Sequence, residues 1–291
     1  MIKDNDYKLI ESKFKKIQKN IFNKFINIDK KSKNKKINWK HKTGGGGTSI
    51  EIYDGKIIEK AAINFSSIGG KFIPNSALSK KIGKYKQFHA TGVSVVIHSQ
   101  NPFIPCTHLN IRHFELSKNK WWFGGGYDLT PYFPYADDVK LWHNNTKKMC
   151  DRHDKKYYKD FKKQCDEYFY IKHRKEKRGV GGIFFDNLNT KNKSHYIFFL
   201  EDAVNTFLET YVKIINKRSA KKYNTNHKDF QLYRRGRYVE FNLIYDRGTL
   251  FGLQSNGRAE SILMSMPPCV KWSTIKSKVL INYEKKLLKF L

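Results

Sequence analysis

The chain is short of acid. Across 291 residues, 26 aspartates and glutamates stand against 57 lysines and arginines, a formal net charge of +31. Arginine is scarce too: ten of the basic residues are Arg, none before residue 112, and the first 42 residues hold 14 Lys. Charge carried this way, with Asn and Ile also abundant, reads as drift spread over solvated faces. No nucleic-acid partner is expected from it. Long apolar runs are missing. The densest patches, "GVSVVI" and "YIFFL", fall far below the ~18 residues needed to cross a bilayer, so no transmembrane segment is expected. The four cysteines, Cys106, Cys150, Cys165 and Cys269, form no CxxC pair, which points to reduced thiols in a cytoplasmic protein. Asp4, Asp6 and Glu11 among the first lysines speak against a targeting peptide. The glycine run "GGGGTS" (44 to 49) lacks a following Gly-Lys-Ser/Thr and is read as a flexible turn or a close backbone approach, not a phosphate loop.

What is present supports a globular core: 39% hydrophobic and 15% aromatic residues. Ile10, Phe14, Ile17, Ile21 and Phe25 recur at three- and four-residue intervals, predicting an amphipathic helix. A lysine-rich connector (30 to 42) follows. "EIYDGKIIEKAAINFS" predicts a hairpin turning at Asp54-Gly55, and "TGVSVVIH" and "THLNIRHFEL" predict strands joined through Pro102 and Pro105. "KWWFGGGYDLTPY" reads as a strand ending in a glycine-rich turn. Helices are expected over "ADDVKLWHNNTKKMC", over "DFKKQCDEYFYIKHR", and through Phe207, Tyr211 and Ile215. "GRYVEFNLIYDRGTLFGLQS" reads as a hairpin turning at Asp246-Arg247-Gly248. With no βαβ rhythm, the expectation is an α+β fold. A large antiparallel sheet carries helices on both faces, in one catalytic domain (44–291) preceded by a helix and connector (1–43).

The densest chemistry lies in "HSQNPFIPCTHLNIRH" (98 to 113). Alternation places Ser94, Val96 and His98 on one face of the first strand, and His108, Asn110 and Arg112 on one face of the second. Leu109, Ile111 and His113 point the other way. If the two faces coincide, the patch combines an anion clamp with imidazoles able to move protons near neutral pH. Three readings stay open: a proton-transfer site, a polar sheet face, or a metal site recruiting His143 and His173, which lack a specific zinc spacing. Asp128, after three glycines, either meets a ligand or caps a turn. Asp186 in "GGIFFDN" reads as a turn residue. Five of the ten arginines fall between 234 and 258. Arg258 sits where an anion can be held, and Arg234, Arg235 and Arg237 are candidates for pairing with Glu240 or for a subunit contact. Arg112 and Arg258 together suggest a ligand with more than one carboxylate or phosphate.

The segments "FHATGVSVVIHSQNPFIPCTHLNIRHFEL", "WWFGGGYDLTPYFPY", "CDEYFYIKHRKEKRGVGGIFFDNL" and "FQLYRRGRYVEFNLIYDRGTLFGLQSNGRAESILMSMPP" closely resemble the oxygen-dependent coproporphyrinogen-III oxidase family. The likeness runs from about residue 44 to 272. It implies a homodimer that converts two propionates of coproporphyrinogen III to vinyl groups with O2, releasing carbon dioxide and hydrogen peroxide. No flavin, haem or nucleotide is called for. By the resemblance His108 is the proton donor. Ser94, Asn110, Ile111, Arg112, Asn256, Gly257 and Arg258 bind substrate. His98, His108, His143 and His173 hold a divalent metal in bacterial members, and residues 238–269 form the dimer contact. Asp128 is the expected partner of a pyrrole N–H. Two positions depart from the pattern: Gln164 stands where the family carries tryptophan, and Asn256 where bacterial members carry glycine.

Overall fold

The computed structural model describes residues 4–42, 44–70, 87–117, 120–254 and 257–291. Seven strands run in an antiparallel sheet in the order β1-β2-β3-β4-β5-β6-β9. They are β1 (Lys33–Lys40), β2 (Gly45–Tyr53), β3 (Ile58–Gly70), β4 (Phe88–Ser99), β5 (Cys106–Ser117), β6 (Lys120–Thr130) and β9 (Gly181–Leu188). A two-stranded ribbon, β7 (Tyr170–Ile171) and β8 (Glu176–Lys177), brackets a 3-10 turn, Lys172–Arg174. The helices are α1 (Asp4–Ile28), α2 (Ala136–His153), α3 (Tyr157–Tyr168), α4 (Lys193–Arg218), α5 (Thr225–Ile244), α6 (Arg247–Gln254), α7 (Ala259–Leu263) and α8 (Lys278–Leu288). This is the α+β fold expected.

Alternation along the strands separates two cores. Val93, Val95 and Ile97 of β4, with Leu109 and Ile111 of β5, pack beneath α1, α2 and α4. Val96 and Cys106 face the other way, against Phe230, Tyr233 and Tyr238 of α5 and Leu280 of α8. The periodic residues Ile10, Phe14, Ile17, Ile21 and Phe25 are all buried, each worth roughly 1.5–3 kcal/mol of burial. Gln18 pins the helix further, donating to the carbonyls of Thr48 and Ile63. The hairpin between β2 and β3 turns as expected, with Asp54 at φ 54°. Buried Asp29 accepts the backbone N–H groups of Ile57 and Ile58 at 2.7 and 2.9 Å.

Several local readings are corrected. The lysine-rich connector contains a strand, since residues 33–40 pair with β2. Gly45, Gly46 and Gly47 open β2 instead of forming a turn, though the close backbone approach expected of them holds: a Cβ at Gly45 would lie 2.1 Å from the Ser67 carbonyl. The glycines of "FGGGYD" lie inside β6, with Gly124 opposite Arg112 and Gly126 opposite Asn110. The largest error concerns the hairpin read over residues 236–255: residues 236–254 belong to α5, α6 and the turn between them. From Phe230 to Asn242 nearly every residue of α5 is buried, so the helix has no single apolar stripe and its sequence shows no clean 3.6-residue period. Asp246, read as a turn residue, accepts from the backbone N and Oγ1 of Thr249 at 2.8 and 2.9 Å and so caps α6. His173, expected on a helix, sits in the 3-10 turn after α3.

Candidate active site

The strand register decides which side chains meet. Ser94 lies opposite Asn110, Val96 opposite His108 and Gly92 opposite Arg112. On the next strand, Asp128 lies opposite His108. The expected faces therefore coincide, and Ser94, His108, Asn110 and Arg112 line the floor of one cleft. Its walls include Phe184 and Asp186 of β9, Arg247 of α6, and Gly257 and Arg258 just before α7. Arg258 thus lies between two helices and not after a strand. Ile111 belongs to the opposite core with 2% of its surface exposed, so its side chain does not reach the cleft. Asn256 lies outside the described residues.

The depth of the floor comes from glycine. Gly126 adopts φ +149°, and a Cβ there would lie 2.2 Å from the Ile183 carbonyl. At Gly124 a Cβ would lie 2.7 Å from Asp186 Oδ1 and 2.8 Å from Arg112 Nε. β6 therefore carries no side chain where the arginine must lie flat over the strand.

Asp128 does not itself line the cleft; it lies behind His108, 1% exposed. Its Oδ1 accepts from Arg178 Nη2 at 2.7 Å and from His108 Nδ1 at 3.1 Å. Burial alone would raise its pKa, but the Arg178 guanidinium and the His108 hydrogen bond outweigh that and hold it below the usual carboxylate range. An ionised carboxylate can only accept, so His108 Nδ1 is the donor in this pair and Nε2 is the ring's remaining nitrogen. Arg178, also 1% exposed in its side chain, donates to Asn242 Oδ1 at 2.8 Å. It stacks over Phe169, Tyr238 and Phe241 at 4.0, 4.9 and 4.8 Å. Nothing in the sequence marked Arg178. Its only signal is an arginine immediately before the glycine-rich start of an apolar strand.

The four histidines of the metal reading have separate surroundings. His98 is buried, donates from Nε2 to the Ser265 carbonyl at 2.9 Å, and meets Tyr238 edge-on. His143 donates from Nε2 to the Val180 carbonyl at 3.0 Å, with Nδ1 against the Tyr158 hydroxyl. His173 bonds Glu240 and Tyr245 at 2.7 and 2.8 Å, and His108 bonds Asp128. Among the described residues no group of three or more His, Cys, Asp or Glu is placed to hold a metal ion. Arg235, Lys60 and Arg178 also lend His98 a positive surrounding unfavourable to a cation. The described residues of a single chain do not fit the expected metal. All four cysteines are free, and burial pushes the Cys106 thiol up to about 12, which disfavours a nucleophilic role.

The site predicts acid sensitivity. Burial, then Arg235, pushes His98 from 6.5 down to about 3, while Asp128 is depressed below its ordinary 3.8. Both take up protons more readily when unfolded. The stability tied to His98 is complete above pH 6.5 and drains away as pH falls toward 3, and that tied to Asp128 follows below 3.8. Thermal melts followed by circular dichroism should show Tm declining steadily from pH 7 to 4. A flat Tm over that range contradicts the assignment.

Comparison with known proteins identifies the family. A family model described as coproporphyrinogen III oxidase matches residues 9–291. The oxygen-dependent coproporphyrinogen-III oxidase of Francisella philomiragia subsp. philomiragia is 53% identical over 236 residues, covering 79% of this chain and 77% of its own. That of Francisella tularensis subsp. holarctica is 50% identical over 255 residues, covering 86% and 83%. A chain matched along nearly its whole length by that model, and at this identity by these relatives, belongs to the coproporphyrinogen III oxidase family.

Proposed function

We propose that this enzyme converts two propionate side chains of coproporphyrinogen III to vinyl groups with O2 as co-substrate, forming protoporphyrinogen IX in haem biosynthesis. The observation that carries the reading is His108, backed by the ionised, buried Asp128, on a cleft floor shared with Arg112 and walled by Arg247 and Arg258. A tetracarboxylate needs cationic clamps, and guanidinium forks match carboxylates. Asn110 supports Arg112, accepting from Nη1 at 3.3 Å. Ser94 adds a hydroxyl, and Gly257 lets the backbone approach the ligand beside Arg258.

Each propionate loses one C–H and one C–COO⁻ bond. Two electrons pass to O2, and one proton is taken up beyond the hydrogen leaving the side chain, so that carbon dioxide and hydrogen peroxide depart. Asp128 engages a pyrrole N–H, which raises electron density on the ring carbon that adds O2. The resulting peroxide takes the side-chain hydrogen as carbon dioxide leaves, and His108 supplies the remaining proton. Arg178 is a positioning residue that keeps Asp128 ionised behind His108.

The decisive assay incubates the protein with coproporphyrinogen III with and without O2, oxidises the products, and follows vinyl porphyrins by fluorescence. Oxygen-dependent protoporphyrin with one peroxide per vinyl group supports the reaction. No vinyl product in air refutes it.

A homodimer through residues 238–269 fits the surface of this segment, where Leu243, Ile244, Leu253 and Leu263 are 41–52% exposed. Ile244→Asp should yield a monomer in sedimentation, and a dimer that survives the change places the contact elsewhere. The cytoplasm fits the free cysteines. No helix among the described residues is long and apolar enough to cross a membrane.

A further inference from the structure

Asp186 stands out among the cleft residues because it is an acid where the substrate is an acid. Arg112 Nη2 and Arg247 Nη2 reach the same oxygen, Asp186 Oδ2, at 3.3 and 3.1 Å. Both guanidiniums lie over the ring of Phe184, at 5.8 and 5.5 Å. The side chain of Asp186 is 11% exposed and those of the two arginines 22% and 31%, so the group is partly shielded from water yet open to the cleft. Two positive charges drawn to one oxygen need an anion between them. Before substrate arrives that anion is the protein's own.

Resting on the reaction read above, we infer that Asp186 is an internal competitor for the Arg112–Arg247 clamp, so that a substrate carboxylate binds there by exchange instead of simple addition. Exchange matters because the enzyme must treat two propionates in turn. After the first becomes a vinyl group, the tricarboxylate intermediate has to shift before a second propionate reaches Asp128 and His108. An unopposed pair of guanidiniums would hold the old carboxylate in place. Asp186 closes on the arginines as that carboxylate leaves, which lowers the cost of letting go. The device trades ground-state affinity for turnover, as expected when binding substrate and transition state equally well gives no gain in rate.

The geometry supplies a clean test. Asp186 Oδ1 accepts the backbone N–H of Asn187 at 3.1 Å, a local role separate from the clamp contacts of Oδ2. Asp186→Asn keeps an acceptor for that N–H and turns an amide toward the arginines, while Asp186→Glu restores the charge. Binding is read first by fluorescence titration with coproporphyrin III, the oxidised macrocycle, which carries the same four propionates and does not react. Asp186→Asn should bind it roughly tenfold tighter, the scale of one charge-assisted hydrogen bond gained. With coproporphyrinogen III it should show a lower KM, a lower kcat and accumulation of the mono-vinyl tricarboxylate, and Asp186→Glu should return toward wild type. Unchanged or weaker binding by Asp186→Asn overturns the inference. Tighter binding with wild-type kcat and no accumulated intermediate overturns its part in turnover. If Asp186→Asn fails to fold, Asp186→Ser carries the same measurements. A wild-type protein that yields no vinyl product refutes the assigned reaction, while the coproporphyrin titration still decides whether Asp186 competes for the clamp.

Discussion

Asp128→Ala should cost the protein both its activity and much of its stability. The change strands Arg178, whose side chain is 1% exposed, without its ionic partner. Removing one member of a buried pair typically costs about 3–5 kcal/mol, a fall in Tm on the order of 10 °C for a chain of this size. Asp128→Asn separates the two effects. It preserves shape and an acceptor oxygen for Arg178 but cannot take a proton, so kcat should drop roughly 10²–10⁴-fold with a smaller loss of stability. Near-normal turnover by Asp128→Asn removes Asp128 from the chemistry. A third protein, Asp128→Leu combined with Arg178→Met, replaces the pair by apolar side chains. It should melt well above Asp128→Ala while remaining inactive, showing that the pair is kept for reaction and not for folding.

The second large effect is expected at His108, with the opposite profile. Its side chain is 17% exposed, and its removal leaves the Asp128–Arg178 pair intact, so His108→Ala should fold and bind coproporphyrin III much as wild type does. Its kcat should fall roughly 10²–10⁴-fold because the departing peroxide lacks its proton donor. Partial recovery with added imidazole distinguishes loss of a proton donor from loss of shape. A His108→Ala enzyme running at full rate excludes that role.

These two residues also mark how far the sequence could be read. The face shared by Ser94, His108, Asn110 and Arg112 was legible because strand alternation is strict and one wrong register would have turned every polar group into the core. The partnership of Asp128 with His108 was not, because the three glycines before Asp128 read as a turn. Only pairing with β5 and β9 holds "FGGGYD" extended. Arg178 and Arg247 were invisible as site residues for another reason: their partners lie 50 and 61 positions away. Asp186, read as a turn residue, lies instead inside β9, where one oxygen accepts the N–H of the next residue and the other meets the distant arginines. The lost hairpin at 236–255 follows from burial. A helix enclosed on nearly all sides can carry tyrosines and arginines wherever tertiary contacts accept them. Arg235, for one, is fully buried against Glu59 and the Ser99 carbonyl.

The lysines of β1 have a colloidal consequence. β1 is the outermost strand of the sheet, with Lys33, Lys35, Lys36 and Lys40 all exposed along it. An unpaired strand edge is a template for another chain, and like charge is what keeps two such edges apart. That protection is electrostatic and short-ranged. The Debye length shrinks from about 10 Å at 0.1 M salt to about 3 Å at 1 M, so concentrated salt withdraws the barrier between edges while leaving the core untouched. Salting-out of this protein should therefore begin with edge-to-edge strand pairing of folded molecules, well before any of them unfolds.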